Sequence, residues 1–521
     1  MSLLRSAATV GSLTLVSRFF GFARDVLMAN VVGAGLVAQA FVIAFRFPNL
    51  FRALFAEGAF NSAFVPLFAK QMQAEGEPSA KAFAETVLAV LFSGLLVFTV
   101  AAIFAMPLVI YSIAWGFAAD AEKFALSVSL TRITFPYLFF MSLTALISGV
   151  LNSLHRFTAA AFAPILLNIV LVATLVLAGS MGWGQTPRTG YALAVGVLIA
   201  GLLQLSLVWW ACAKAGLALK LRRPRLDPRV KRLLWLSVPG IVSGGITQVN
   251  LLVATQIASM FDRAVSYLYY ADRIYQLPLG VVGVAIGVVL LPDLSRKLRS
   301  GESVLAMSVH NRALELALFF TVPAAVAIVI IARPIIIALF EHGAFVRADS
   351  LATAAALSAF AMGLPAFVLI KVFAPGFFAR EDTATPMRFA LVSVLVNLSA
   401  AVSLSYVWRH VGIAAATAIA AWVNASLLGL TLWRRGHFLA DAELKRRLPG
   451  MLLACFLMAA MLLLGRLLTQ DSFELDASKL ASGLALLFLV SSGAATYLVA
   501  CHVTGAMTLR ELAAMMRRSR N

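Results

Sequence analysis

Charged residues make up only 12% of this chain, against about 25% in an ordinary soluble domain. That shortage, beside 61% hydrophobic residues and a mean hydropathy of +0.93, leaves far more apolar surface than one globular core can bury. Cysteine is nearly absent: Cys212, Cys455 and Cys501 each sit in an apolar stretch and read as small buried hydrophobes rather than a disulfide framework. The six histidines, His155, His310, His342, His410, His437 and His502, are scattered. No H-E-x-x-H, phosphate-loop or Cys/His cluster occurs, so no catalytic residue, metal site or cofactor is expected. A cleavable signal peptide is also missing, because Arg18, Arg24 and Asp25 interrupt the first apolar run and no A-x-A-like site follows it.

What is present is a series of apolar blocks of about 20 residues or more, the length that crosses a bilayer core of about 30 Å. In lipid the backbone must satisfy its own hydrogen bonds, so these blocks read as helices. About fourteen spans are expected, near residues 6–28, 33–68, 82–112, 124–152, 159–180, 189–214, 231–260, 264–295, 304–333, 350–379, 385–408, 411–434, 447–468 and 480–503. The fold class is an all-α integral membrane protein.

Basic residues gather in alternate loops. Lys214, Lys220, Arg222, Arg223, Arg225, Arg229, Lys231 and Arg232 follow the sixth span. Arg296, Lys297 and Arg299 follow the eighth, and Arg434, Arg435, Lys445, Arg446 and Arg447 the twelfth. Arg510, Arg517, Arg518 and Arg520 close the chain, whereas the intervening loops carry one or two cations, such as Arg188 or Arg347. The positive-inside rule places the basic set in the cytoplasm, and an even number of spans then leaves both termini there. The net charge of +19 is thereby a topology signal with some attraction for anionic membrane lipids, and no nucleic-acid partner is expected.

An internal repeat accompanies this pattern. Residues 44–70 echo 270–297, with Pro66 opposite Pro292 at an offset of 226, and NSLHRFTAAAFAP (152–164) echoes FFAREDTATP (377–386) at an offset of 222. Both members of each pair fall at a cytoplasmic end. The repeat is therefore parallel, and such halves hold a substrate path between them. The expected organisation is a first six-helix lobe over 1–220, a second over 221–436, and two further helices with a basic tail over 437–521. Leu452, Leu453, Leu457, Leu462 and Leu463 mark the first extra helix as apolar around most of its surface, and the pair is expected to offer a groove to an apolar tail.

The most informative polar residues lie inside spans. If the second span is one helix, Arg52 sits about 24 Å from its far end at 1.5 Å per residue. That is too deep to snorkel and costs at least about 2.5–3.5 kcal/mol in lipid. It needs a watery cavity or a partner, and Glu57 and Asn49 are the neighbours within reach. Pro48 and Gly58 should bend the helix. Span one brings Ser17, Arg18, Arg24 and Asp25, in which Asp25 either neutralises an arginine or marks the helix end. Span eight brings Asp272 and Arg273, and Tyr269, Tyr270 and Tyr275 beside them read as an interfacial belt. Guanidinium forks bind phosphate bidentately, and a diphosphate is the simplest ligand for several of them. Without a nucleotide motif, the membrane potential is the expected aid to its export, at about 2.3 kcal/mol per charge per 100 mV.

SRFFGFARD (17–25), FRFPNLFRALFAEGAFNSAFVPLFA (45–69), ITFPY (133–137), NSLHRF (152–157), AFAPILLN (161–168), YYADR (269–273), GVAIGVVLLPDLS (283–295) and KVFAPGFFARED (371–382) together resemble the MurJ (MviN) lipid II flippase family. The resemblance implies the multidrug/oligosaccharidyl-lipid/polysaccharide exporter fold, two pseudo-symmetric six-helix lobes in a V plus two helices. It also implies a monomeric transporter, not an enzyme, in the bacterial cytoplasmic membrane. Its substrate would be lipid II, the undecaprenyl-diphosphate-linked peptidoglycan precursor. By motif position the family's cavity arginines fall on Arg18, Arg24, Arg52 and Arg273, with Ser17 and Asn49 as hydrogen-bond donors and Asp25, Glu57 and Asp272 as supporting or gating groups. Gln39 departs from members that carry an acid there. Gln248 and Asn250 bring no carboxylate to the seventh helix, where some members bind sodium.

Two other readings fit parts of the chain. An exporter of another polyprenyl-linked glycan, or a drug/cation antiporter, would share the fold; the antiporter needs a titratable acid, for which Asp25, Glu57, Asp272 and Glu315 are the candidates. A multi-pass glycosyltransferase acting on polyprenyl diphosphates would want paired acids on a sizeable external loop, and TQDSFELDASK is short.

Overall fold

The computed structural model describes residues 3–52 and 59–507, and among these every regular element is a helix. Nine helical segments of the described chain are long and apolar enough to cross a bilayer. Leu15, Phe19, Phe104, Phe456 and Leu468 are more than half exposed, apolar surface that only lipid would cover. The protein is an all-α integral membrane protein, and it divides into two compact units.

The first unit holds residues 1–266 with the tetrapeptide His342–Phe345. It contains α1 (Leu3–Val32), α2 (Leu36–Arg52), α3 (Ala59–Phe104), α4 (Met106–Ile113), α5 (Ala121–Thr134), α6 (Tyr137–Ser153), α7 (Thr158–Ser180), α8 (Pro187–Lys214) and α9 (Pro228–Ser259). Helix starts follow ordinary capping chemistry: the Asp120 side chain accepts from the Lys123 amide at 3.1 Å, and Asp227 accepts from the Val230 amide at 2.8 Å beside Pro228. The core is aromatic, with Phe64 stacked on Phe68 and on Phe83 at 5.7 and 5.8 Å between centroids. The basic loop after α8 is partly fixed. Buried Glu85 on α3 accepts from the Lys220 amide at 3.0 Å and from Arg222 Nε at 2.5 Å.

Two glycines carry the close approach of His342–Phe345 to the α1–α2 corner. The Ala344 amide donates to the Asn30 carbonyl at 2.8 Å. Gly33 and Gly343 lie at φ +71° and +57°, and a Cβ on Gly343 would stand 2.4 Å from the Asn30 carbonyl oxygen, so neither position accepts a side chain without displacement.

The second unit contains most of α10 (Ala264–Arg299), then α11 (Ser303–Phe340), α12 (Arg347–Met362), α13 (Leu364–Phe378), α14 (Ala384–Arg434), α15 (Ala442–Leu468) and α16 (Lys479–Val503). The Asp441 and Ser478 side chains cap α15 and α16. Glu315, 1% exposed on α11, accepts from Arg447 Nη1 at 2.5 Å and is paired with Arg312. Arg312 in turn reaches Asp441 at 2.6 Å, and Arg447 reaches Glu443 at 2.6 Å. This network ties the start of α15 to α11.

In the stretch 33–68, α2 is described to Arg52 and the next helix from Ala59, and residues 53–58 lie outside the described residues. Two expected spans are divided. The stretch 124–152 breaks at Phe135–Pro136, because Pro136 cannot donate into the preceding turn. The stretch 350–379 breaks at Gly363, and Pro365 opens α13. The expected spans 385–408 and 411–434 are the two arms of α14, which meet at a kink where Arg409 leaves helical geometry at φ 49°. The tyrosines expected at the membrane interface are core residues instead. Tyr270, Tyr269 and Tyr275 are 0, 4 and 7% exposed, and Tyr270 and Tyr275 pack on Phe340 and Phe360.

Candidate functional site

The polar centre of the first unit is built on α1 and α7. Arg24 and Asp25, 8 and 2% exposed, sit on α1. The Arg24 guanidinium donates to Asp25 Oδ1 from Nε at 3.1 Å and from Nη2 at 2.8 Å, and from Nη1 to Asn168 Oδ1 at 3.0 Å. Asn168 returns to α1 by donating from Nδ2 to the Ser17 carbonyl at 3.0 Å. The guanidinium also lies over the Phe45 ring of α2, 5.6 Å from its centroid, a favourable placement for a desolvated cation. Arg24 is thus held in one orientation by an acid, an amide and an aromatic face, with its Nε and Nη2 donors both on the Asp25 carboxylate.

Arg18 is exposed and Ser17 half-buried, both about two turns before Arg24 on α1. Asn49 is half-buried near the end of α2. Arg52 closes α2, but its side chain lies outside the described residues, as does Glu57. In the second unit Asp272 and Arg273 are half-buried on α10. The Asp272 carboxylate accepts from Gln276 Nε2, and the Arg273 guanidinium lies 4.8 Å from the Tyr269 ring centroid. Within the first unit the structure therefore brings Arg24, Asp25 and the Ser17 backbone together, and in the second it sets Arg273 against Tyr269.

Two residues of this region escaped the sequence reading. Asn168 was legible only as a lone amide inside the apolar run ILLNIVLV, where an uncompensated polar group is costly. Arg46 on α2 donates from Nη1 to Thr255 Oγ1 of α9 at 2.8 Å, a partner 209 residues away that no local pattern announces. Glu315, a candidate titratable acid in the antiporter reading, is committed to Arg312 and Arg447.

In the second unit, α11, α15 and α16 enclose an apolar cavity of about 310 Å³ bordered by Phe319, Pro323, Met458, Leu462, Leu489 and Tyr497. Of the five leucines expected to mark this surface, only Leu462 borders it. Leu452, Leu453, Leu457 and Leu463 are 43–55% exposed elsewhere on α15.

The fold defines the class first. A multidrug-resistance MATE family transporter of the MOP superfamily, solved in an inward-facing conformation, superposes with a TM-score of 0.69 over 82% of this chain and 98% of its own, at 14% identity. A likeness at that identity speaks for the fold alone, that of MOP superfamily transporters. The particular family follows from the sequence: residues 28–482 match the model of the lipid II flippase MurJ, and the chain belongs to that family. It is 52% identical to the probable lipid II flippase MurJ of Rhizobium meliloti (strain 1021), over 89% of this chain and 86% of that protein. It is 36% identical to the lipid II flippase MurJ of Burkholderia cenocepacia, over 84% and 85%. A solved lipid II flippase MurJ in an inward closed conformation aligns with a TM-score of 0.77 at 26% identity, over 95% of this chain and 98% of its own.

Proposed function

We propose that this protein moves lipid II from the inner to the outer leaflet of the bacterial cytoplasmic membrane by alternating access, acting as a monomer and without covalent chemistry. The observation that carries this reading is the family match across residues 28–482, and the buried, oriented guanidinium of Arg24 supports it chemically. Arg24, Arg52 and Arg273 bind the diphosphate, Arg18 supports them, and Ser17 and Asn49 donate hydrogen bonds. Asp25, Glu57 and Asp272 position or gate this set. Residues 1–220 and 221–436 are the two repeats, and 437–521 adds α15, α16 and the tail. The test is depletion in cells followed by a leaflet-resolved lipid II assay, with and without the membrane potential at constant pH gradient. Lipid II should accumulate on the cytoplasmic leaflet, and export should slow when the potential is collapsed. Unchanged leaflet distribution after depletion would refute transport, and potential-independent export would refute only the energetic assistance.

Both termini face the cytoplasm in this proposal, because the loops bearing Arg222, Arg296 and Arg434 carry the positive-inside signal. A periplasm-active reporter placed after Gly436 should be silent and one placed after Asp476 active; the reverse result overturns the orientation.

The apolar cavity between α11, α15 and α16 is the groove for the polyprenyl tail, held there by van der Waals packing, since the tail already lies in hydrocarbon and gains nothing from leaving water. A photoreactive amino acid at Leu498, on the cavity border, should crosslink a polyprenyl diphosphate substrate. Labelling of bulk phospholipid alone counts against the groove.

A further inference from the structure

A second concavity, of about 410 Å³, lies at the end of the first unit where α6 turns into α7 beside the end of α8. Its polar border is entirely basic or neutral: His155, Arg156, Thr158 and Lys214 contribute, and no carboxylate lines it among the described residues. Neither Arg156 nor Lys214 makes an ion pair there among the described residues. The lining also includes the apolar and aromatic residues Phe162, Leu207 and Trp210. Lys214 Nζ sits 5.0 Å from the Trp210 ring centroid, and Trp210 is 61% exposed, the amphipathic placement of an interfacial tryptophan.

The corner is built rather than loose. The His155 amide donates to the Asn152 carbonyl at 3.0 Å and the Arg156 amide to the Leu151 carbonyl at 2.9 Å. This places His155 at φ 59°, a left-handed conformation that histidine tolerates better than most residues. Phe157 caps α7 without a side-chain hydrogen bond. Thr158 and Ala159, in the first turn of α7 where the amides have no intrahelical acceptor, border the cavity.

The echoing corner of the second unit is closed by an acid. There Asp382 accepts from Arg435 Nη1 at 2.7 Å and from the Thr385 amide at 3.0 Å, and the Arg435 hydrogen bond holds its carboxyl down to about 2. The first unit keeps the cations, Arg156 on the turn and Lys214 at the helix end, and lacks the carboxylate. Both cations are exposed at the concavity, so an anion from outside the chain can reach them.

We infer that this concavity binds the phosphodiester headgroup of an anionic glycerophospholipid, with the phosphate at Arg156, Lys214 and the α7 amides and the upper acyl chain along Phe162, Leu207 and Trp210. The volume favours a lipid over free phosphate, since it equals about a dozen waters at about 30 Å³ each, far more than one phosphate fills. The apolar lining has no role for an inorganic ion. The site lies outside the residues assigned to lipid II and does not depend on that assignment.

The test is native mass spectrometry of the full-length protein titrated with phosphatidylglycerol, phosphatidylcholine, and phosphatidylglycerol in excess inorganic phosphate. The wild type should retain phosphatidylglycerol preferentially. Arg156→Gln/Lys214→Gln should weaken that retention about tenfold or more, as expected for removing two cations from a lipid headgroup. Arg434→Gln/Lys445→Gln, which removes two exposed cations elsewhere, should change it little. An equal loss in both variants means diffuse surface charge and overturns the site. Displacement by inorganic phosphate means the pocket takes the free ion, and equal retention of phosphatidylcholine means it does not read charge; either outcome overturns the lipid assignment. Thermal unfolding of each variant separates loss of binding from loss of fold.

Discussion

Neutralising Arg24 and Asp25 together, as Arg24→Gln/Asp25→Asn, should yield a stably folded protein that no longer moves lipid II. Both side chains are buried and bonded to each other. Removing Arg24 alone leaves a carboxylate 2% exposed without its cation, which costs about 3–5 kcal/mol and confuses misfolding with lost function. The double variant keeps a polar side chain at both positions and removes both charges, and replacing a buried pair as a unit is often close to neutral. If Arg24 serves only to hold α1 against α7, the double variant transports normally, because an amide side chain in its place still offers Asn168 a hydrogen bond. If it binds the diphosphate, transport fails while stability holds. Arg24→Lys makes a second discrimination: it keeps the charge and loses the planar fork. Losing one charged hydrogen bond of about 1.5–3 kcal/mol should slow transport about tenfold or more. The measurements are lipid II translocation in reconstituted vesicles and complementation of a depleted strain, both at matched protein levels. Wild-type transport by the double variant would falsify the phosphate role of Arg24.

Arg447→Met should destabilise the second unit by about 1.5–3 kcal/mol, the worth of one charged hydrogen bond, because Arg312 still faces Glu315; Glu315→Leu/Arg447→Met should recover most of that loss. Glu315 is 1% exposed and Arg447 7%, so the single change strips one of two cations from a carboxylate that water cannot reach. The double change removes the need for either partner. Thermal unfolding in detergent reads the difference, and equal melting of the single and double variants would show that the pair contributes nothing beyond packing. The same contact holds the start of α15 to α11, two of the three walls of the apolar cavity. Tail crosslinking from that cavity should therefore fall with Arg447→Met and return in the double variant.

Much of the helical organisation was legible because the bilayer imposes a length and a polarity that composition records. The stretches 159–180, 189–214 and 480–503 match α7, α8 and α16 to within two residues. Two breaks fall between expected spans: Gly76 at φ 81° interrupts α3 between 33–68 and 82–112, and Arg409 at φ 49° interrupts α14 between 385–408 and 411–434. Breaks inside an expected span, at Phe135–Pro136 and at Gly363, were less legible. The tyrosines of YYADR show the same limit. Their composition suits an interface, but packing against Phe340 and Phe360 buries them.

The sequence alone determined that this is a membrane protein of many helices, which loops carry the positive charge, and that arginines occur inside spans where lipid cannot accept them. Those properties follow from the cost of placing charge and unpaired backbone in hydrocarbon, a cost that depends on residue type and local order along the chain. Only the tertiary structure decided how individual charges are satisfied. Arg24 finds Asn168 across 144 residues, Glu315 finds Arg447 across 132, and Arg156 and Lys214 meet around a cavity without an acid. A hydrogen bond or ion pair requires atoms about 3 Å apart, and only the packing of helices distant in sequence brings them that close.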